Sequence, residues 1–340
     1  QAYTFLKELM ETLLFLETNL RRHYSSPFRK PIGSFLDRFA ENSITFMREH
    51  FTSRNYGSRF AYFIGLAECS NLRNEFKKNS ELFVDLILKE VNNDVKSVML
   101  VNMIDTIESL SNTDTEWFKS AGSILKSLLN ITIDCINYEK TSSISSPIHF
   151  QLDQSTDKLQ KIYVKYLNLN KNDTKSVVNL IDYLCLNNIP VCEDFNKFIL
   201  SNVIKADNIN NNKTYLDEIM KFIIDPQYRI ATKIYLLKHI VNPMCYYNAN
   251  RNGDYQITKF NEEPAEWLRI VGDKIWKSWH DDAKLESCDV DKFRIELLQL
   301  TSLLVTYYPD AVVGWKREII KFNWNFIGLE DNITKQAAYM

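Results

Sequence analysis

Glycine and proline are scarce in this sequence, with 8 of each among 340 residues. Together they make up about 5% of the chain, against about 12% in typical proteins. Turn-rich β folds and glycine-lined phosphate loops need residues at positive φ, which glycine supplies most easily. The glycines here are also isolated from one another, so neither a P-loop nor a dinucleotide-binding loop is present. The scarcity therefore predicts an all-α fold and excludes the common nucleotide-binding loops.

A strong net charge, paired cysteines and long apolar runs are also lacking. The formal net charge is −2, so no global field directs the chain towards nucleic acid or an anionic membrane. The 6 cysteines show no CxxC or CxxH spacing, which predicts reduced thiols without a disulfide framework or a zinc site. No apolar run reaches the length that spans a bilayer. We predict no cofactor, no metal and no membrane contact.

The chain instead carries many apolar residues at helical spacing, with 45% hydrophobic and 13% aromatic residues. Their pattern predicts about sixteen helices joined by short connections, so successive helices should be antiparallel neighbours. Pairs of about 40 residues match the HEAT and armadillo size class, although internal self-similarity is weak. We therefore expect an α-solenoid of HEAT-like helix pairs. It should form one continuous segment over residues 1–340, with loop excursions near 140–150, 207–213 and 242–263.

The last fifty residues show this pattern most clearly. Two apolar runs are separated by Pro309, and each places large side chains on one helical face. The predicted buried residues are Leu297, Leu300, Leu304 and Tyr307 in the first run, and Val312, Trp315, Ile319, Phe322 and Phe326 in the second. Asp331 or Asn332 is a predicted N-cap for a third helix, which has barely begun at Met340. We therefore expect the chain to be a segment of a longer protein.

One cluster, His280, Asp281 and Asp282 with Glu286 nearby, has the residue types of a hydrolytic or cation site. A solvated turn at the end of a helix explains it equally simply, and we favour that interpretation. The tryptophans near the C-terminus allow either core packing or a base-stacking platform. Stacking on nucleic acid needs interleaved Lys or Arg, and the match is weak, so core packing is predicted.

A basic stretch between residues 21 and 59 suggests a protein interface. Its arginines alternate with aromatic residues such as Tyr24 and Phe28, a composition typical of interfaces. Arg21, Arg22 and Arg29 are the predicted partner-binding residues, and an acidic segment is the predicted ligand. A solvated face of the solenoid is the simpler alternative.

Two parts of the chain resemble a known family. The C-terminal part does so over residues 293–300, 316–322, 324–325, 329–331 and 335–339, and the N-terminal part over 27–31, 35–39, 58–60 and 72–73. These residues resemble the HEAT region of the transformation/transcription domain-associated protein family. That family comprises pseudokinase scaffolds of histone acetyltransferase co-activator complexes such as SAGA. The resemblance includes Trp, Gln and Lys residues that helix packing does not require.

The resemblance implies a nuclear, non-catalytic scaffold segment that helps to recruit acetyltransferase complexes to promoters. Its implied partners are transcription activators and other subunits of these complexes, without direct contact to nucleic acid or membrane. Two alternatives are the HEAT region of an active phosphatidylinositol-3-kinase-related kinase and that of a nuclear transport receptor. A hydrolase using His280, Asp281 and Asp282 is a third.

Overall fold

The computed structural model describes residues 2–20, 28–52, 54–141, 147–206, 209–250, 255–260, 263–277 and 288–327. Almost all of these residues are helical, which confirms the all-α prediction. The chain divides into two compact units, Gln1–Leu169 and Asn170–Met340.

Nine α-helices form the described part of the first unit. They are α1 Ala2–Leu20, α2 Arg29–Arg38, α3 Ala40–Glu49, α4 Arg54–Ile64, α5 Ser70–Lys89, α6 Asn93–Thr113, α7 Thr115–Lys119, α8 Gly122–Thr141 and α9 Pro147–Leu169. Helix α6 lies at the centre and packs against α4, α5, α8 and α9. Its N-cap is Asn92, whose side chain accepts hydrogen bonds from two backbone amides of the first turn. Its apolar residues are buried on several sides, which suits a central helix.

Polar side chains join neighbouring helices in this unit. Asp37 on α2 accepts a 2.8 Å hydrogen bond from the Leu72 amide at the start of α5. Arg73 is buried and donates to the carbonyls of Ile64 and Ala67, each at 3.0 Å. These hydrogen bonds satisfy backbone N–H and C=O groups near helix termini, which have no partner within their own helix.

The described part of the second unit contains nine α-helices, two paired β-strands of two residues each, two 3₁₀ turns and three π-helical turns. The helices are α10 Thr174–Asn187, α11 Glu193–Phe198, α12 Ile209–Ile224, α13 Ile230–Leu236, α14 Asn242–Ala249, α15 Glu266–Ile270, α16 Cys288–Tyr307, α17 Pro309–Val312 and α18 Lys316–Ile327. Strands β1 Lys259–Phe260 and β2 Glu263–Pro264 pair antiparallel, with Lys259 opposite Pro264. The 3₁₀ turns are Tyr255–Thr258 and Val313–Trp315.

Three π-helical turns continue α-helices of this unit, at Ile199–Ile204, Leu237–Val241 and Val271–Trp276. The second ends two residues before Pro243, which cannot donate to the carbonyl four residues back and would clash with it. A wider turn accommodates that defect. The third contains Gly272, where an added Cβ would lie 2.3 Å from the Trp315 indole ring. Glycine there lets the indole pack directly on the helix backbone.

The structure changes several details of the prediction. The predicted count of about sixteen helices is confirmed, and the eighteen described α-helical segments include α17 and α18, which only a 3₁₀ turn separates. The predicted loop excursions are too wide: α9 already begins at Pro147, α12 begins at Ile209, and 242–249 is helix α14. Proline lacks an amide that the first helical turn does not use, so it can start a helix. One continuous stack over residues 1–340 stays a prediction.

The predicted apolar stripes near the C-terminus are largely confirmed. Leu297, Leu300 and Leu304 of α16 are buried, as are Val312, Ile319, Phe322 and Phe326 further along the chain. Tyr307 and Trp315 are half-buried. Trp267 and Trp276 belong to the core, whereas Trp324 is 71% exposed.

Candidate interaction surface

Arg29 is the one predicted partner-binding residue within the described part of the chain, since Arg21 and Arg22 lie outside it. It opens α2 and is half-buried. Its guanidinium carbon lies 3.4 Å from the centroid of the Tyr62 ring on α4, a cation–π arrangement. The aromatic ring therefore fixes the orientation of this guanidinium.

The surroundings of the Arg29 guanidinium combine a buried atom with exposed neighbouring side chains. Its Nε atom is buried and has no hydrogen-bond partner among the described residues. Phe28 next to it is 51% exposed, and Lys30 is exposed. An oriented guanidinium beside an exposed aromatic ring and a second cation is suited to an acidic, partly apolar ligand.

The other described arginines of the basic stretch have different surroundings from Arg29. Arg59 is buried, and its guanidinium donates to the Leu14 carbonyl of α1. Arg38 lies beside Phe39, with its guanidinium carbon 6.0 Å from the ring centroid. Arg48 on α3 is exposed. The stretch is therefore divided between internal packing and surface, which the sequence pattern did not reveal.

No catalytic constellation is found in the described part of the chain. The His280, Asp281 and Asp282 cluster lies outside it. Within it, no three His, Cys, Asp or Glu side chains are grouped as a metal site requires. None of the described helices combines the length and apolar character that crossing a bilayer requires.

Cys69, Cys185 and Cys245 form no disulfide, and the raised pKa values of their thiols make them poor nucleophiles. Burial and the nearby Asp37 and Glu68 carboxylates raise the pKa of Cys69 to about 11. Burial likewise raises the pKa of Cys185 to about 11 and that of Cys245 to about 12. Because the thiolate is the reactive form, these groups are structural.

Sequence reasoning missed the partners that position polar side chains. Tyr62 has no local signal that links it to Arg29, because the two residues lie on different helices. Asp182 and Asp217 were also missed. Asp182 accepts a 2.6 Å hydrogen bond from the Thr232 hydroxyl, and Asp217 accepts one of 2.7 Å from the Trp267 amide. Each carboxylate binds the first turn of a later helix, as a capping residue does.

Paired helices with buried apolar faces define the chain as an α-helical repeat protein. It belongs to the Tra1 HEAT repeat ring region family, whose model matches residues 1–340. This match confirms the predicted HEAT-repeat fold class and the resemblance to the transformation/transcription domain-associated proteins. It does not favour an active kinase or a nuclear transport receptor.

Two curated relatives are similar over nearly the whole chain. The "SAGA complex/NuA4 acetyltransferase complex subunit TRA1" of Saccharomyces cerevisiae is 30% identical over 348 residues, covering 100% of this chain. The "SAGA complex/NuA4 acetyltransferase complex subunit Tra1" of Schizosaccharomyces pombe is 20% identical over 340 residues, covering 98% of it. The chain spans 9% of the length of each relative. No solved structure matches the chain significantly.

Proposed function

We propose that this chain is a non-catalytic scaffold segment of a nuclear transcription co-activator subunit that belongs to histone acetyltransferase complexes. The match of the Tra1 ring-region model to residues 1–340 carries this proposal. The printed names of the two relatives place those proteins in SAGA and NuA4 complexes. A buried helical core supports a scaffold, because stacked helix pairs hold their shape while exposed side chains bind partners.

The proposed partners are acidic segments of transcription activators or of other complex subunits, and Arg21, Arg22 and Arg29 are the proposed contacts. Arg29 is the best supported because Tyr62 orients its guanidinium and because the neighbouring Phe28 and Lys30 are exposed. A carboxylate placed there would receive charge-assisted hydrogen bonds, which are stronger than neutral ones. An acidic segment that is disordered alone would be ordered on binding, and this cost would keep its affinity moderate.

The test uses the full-length protein in its complexes, with Arg21, Arg22 and Arg29 together changed to Glu. Captured activators and subunits should decrease, and the difference should shrink as salt screens the exposed charges. Arg48→Glu is the control, because Arg48 is an exposed arginine of the same unit. It should capture partners as the unchanged protein does.

A stability measurement separates docking from folding, because Arg29→Glu also removes the contact with Tyr62. Such cation–π contacts contribute about 0.5–2 kcal/mol. The melting temperature of the variant should therefore fall by a few degrees at most. Unchanged capture at low salt by a folded triple variant would contradict the proposed contacts.

A further inference from the structure

A buried carboxyl group connects helix α16 to the start of α14 in the second unit. Glu296 of α16 is 7% exposed, and Asn242, the first residue of α14, is 8% exposed. The Asn242 amide donates from Nδ2 to Glu296 Oε2 at 3.1 Å and to the Glu296 carbonyl at 3.4 Å. Helix α16 packs against α13, the π turn Leu237–Val241 and α14. The pair therefore lies where α16 meets the junction between the π turn and α14.

The Asn242 amide also has an acceptor that this contact leaves unused. Its Oδ1 atom is buried and has no hydrogen-bond partner among the described residues. Leaving a buried acceptor without a donor is energetically costly. An ionised Glu296 carboxylate can only accept hydrogen bonds, so it cannot satisfy Oδ1. A protonated carboxyl group carries one O–H donor and can do so.

Exchanging the nitrogen and oxygen of the Asn242 amide leads to the same requirement. Oδ1 would then lie 3.1 Å from Glu296 Oε2, and two acceptors at that distance need a proton between them. In either orientation, the amide and the carboxyl group satisfy each other fully only when Glu296 is protonated.

The charges around Glu296 give a carboxylate at this position little support. Burial raises the pKa of Glu296, and the attraction of Lys238 on the π turn and the Asn242 hydrogen bond oppose this shift. Lys238 is exposed and forms no ion pair with Glu296 in the described part of the chain. The other described titratable side chains of α16 and of the elements packed against it are Lys233 and Tyr235 on α13, His239 on the π turn, Cys245, Tyr246 and Tyr247 on α14, Asp310 on α17, and Asp289, Asp291, Lys292, Arg294 and Tyr307 on α16 itself.

We propose that Glu296 is protonated in the folded chain, that its hydroxyl donates to Asn242 Oδ1, and that this pair is a pH-sensitive joint between α16 and α14. Two hydrogen bonds then connect the side chains, one from Nδ2 to the carboxyl group and one from the hydroxyl to Oδ1. The backbone cannot replace the second bond, because Pro243, which follows Asn242, has no amide to donate.

The direction of the pH response follows from the position of the proton. Because the folded pKa of Glu296 is raised above the unfolded value of 4.5, the stabilising effect of the pair is fully present below about pH 4.5. It is lost as the pH rises through the folded pKa, because the hydroxyl donor disappears and a charge stays buried. The contact between α16 and the start of α14 should then loosen.

Carbon-13 NMR of the two side chains tests the protonation and the hydrogen bond. The carboxyl carbon of Glu296, identified by its loss in Glu296→Gln, should titrate well above pH 4.5. The amide carbon of Asn242 should shift with the same midpoint, because Oδ1 loses its donor there. Asn212 is the internal control, since its Oδ1 is also buried and has no partner among the described residues. Its amide carbon should not follow this titration.

Amide hydrogen exchange in α14 tests whether the pair acts as a joint. Glutamine offers a donor and an acceptor at every pH, so Glu296→Gln mimics the protonated state. Exchange in the unchanged chain and in this variant should be equal below about pH 4.5, and the unchanged chain should exchange about fivefold faster above the folded pKa. Asp289→Asn removes an exposed carboxylate of the same helix, and it should leave the pH-dependent step in place.

Three results would overturn the proposal. The first is a Glu296 carboxyl group that titrates at or below pH 4.5. The second is an Asn242 amide carbon that does not follow the Glu296 titration, which would show that the hydroxyl does not donate to Oδ1. The third is equal exchange in the unchanged chain and Glu296→Gln at every pH, which would show that the proton does not control the contact. The proposal is independent of the partner binding proposed for Arg29.

Discussion

The two compact units are both helical, yet their distant helices are joined by different interactions. In the first unit, lysines reach carboxylates on other segments: Lys77 Nζ lies 2.5 Å from Asp114 Oδ2, and Lys158 Nζ lies 2.6 Å from Asp105 Oδ1. These side chains are partly exposed. Such pairs contribute little stability individually and are screened by salt. They fix the register of the helices more than they stabilise the unit.

In the second unit, Lys221 of α12 likewise lies 3.1 Å from Glu266 of α15, but buried aromatic side chains also donate hydrogen bonds to other segments. Trp267 Nε1 donates to the Ile257 carbonyl at 2.7 Å, Trp276 Nε1 to the Thr301 hydroxyl at 3.0 Å, and the Tyr308 hydroxyl to the Cys245 carbonyl at 2.7 Å. Each combines apolar burial with a satisfied polar group, which is the favourable way to bury Tyr or Trp. All three described π turns also lie in this unit.

The pKa of an acidic group in this chain shifts in opposite directions when the group is paired with a lysine and when it is buried. A hydrogen bond from Lys77 lowers the pKa of Asp114 in the first unit. Burial raises the pKa of Asp217 and of Glu296 in the second. We therefore expect acidification to reduce the stability that the Asp114 carboxylate contributes. We expect it also to remove the free-energy cost of burying the charged Glu296 carboxylate.

The largest effect is expected from Trp267→Ala in the second unit. Trp267 is fully buried, and replacing such a side chain by alanine costs about 3–5 kcal/mol. Amide exchange should rise by orders of magnitude in α12 and α15, which pack together. Urea unfolding of the chain gives the size of the loss.

Trp267→Phe is the control that separates burial from hydrogen bonding. It keeps most of the apolar volume but leaves the Ile257 carbonyl without its indole donor, at a cost of about 1–3 kcal/mol. Equal losses for the two variants would show that the hydrogen bond, not burial, dominates in this unit.

The helical fold and much of the core could be predicted because they depend on local spacing. Ile319, Phe322 and Phe326 repeat along one face, and that face is buried. The packing of the Trp315 indole on Gly272 could not be predicted, because the two residues lie on different segments of the chain. The stacking of Arg29 on Tyr62 depends on tertiary packing in the same way. The roles of Arg21, Arg22 and Arg29 in binding stay predictions.

An intermediate effect is expected from Glu296→Gln. Glu296 is buried and accepts a 3.1 Å hydrogen bond from the Asn242 side chain. Because its folded pKa is raised above the unfolded value of 4.5, the folded state binds the proton more tightly. The contribution of Glu296 to the stability of the fold is therefore fully present below about pH 4.5, and it is lost as the pH rises through the folded pKa.

Glutamine can accept the same hydrogen bond without ionising, so Glu296→Gln should stabilise the chain at pH 7 by about 1 kcal/mol. The gain should disappear near pH 4.5, where both states of the unchanged protein are increasingly protonated. Urea unfolding across this range measures it. Glu318→Gln, at a half-exposed position of α18, should show no comparable gain. A gain independent of pH would contradict the explanation by burial of charge.

The smallest effect is expected from Asp114→Asn in the first unit. Asparagine can still accept the hydrogen bond that Asp114 takes from the Trp117 amide at 3.1 Å, so the cap of α7 is kept while the charge pair with Lys77 is lost. The cost should be about 0.2–1 kcal/mol at low salt, the range of partly exposed ion pairs.

Because the folded pKa of Asp114 is lowered, its contribution to stability is present above the unfolded pKa of 3.8 and is lost as pH falls through the folded pKa. The variant and the unchanged protein should therefore converge in strong acid, and also in about 1 M salt, where the screening length is about 3 Å. The cost of Trp267→Phe should survive the same salt. If salt reduced both costs equally, the contrast between ion pairs in the first unit and buried hydrogen bonds in the second would be wrong.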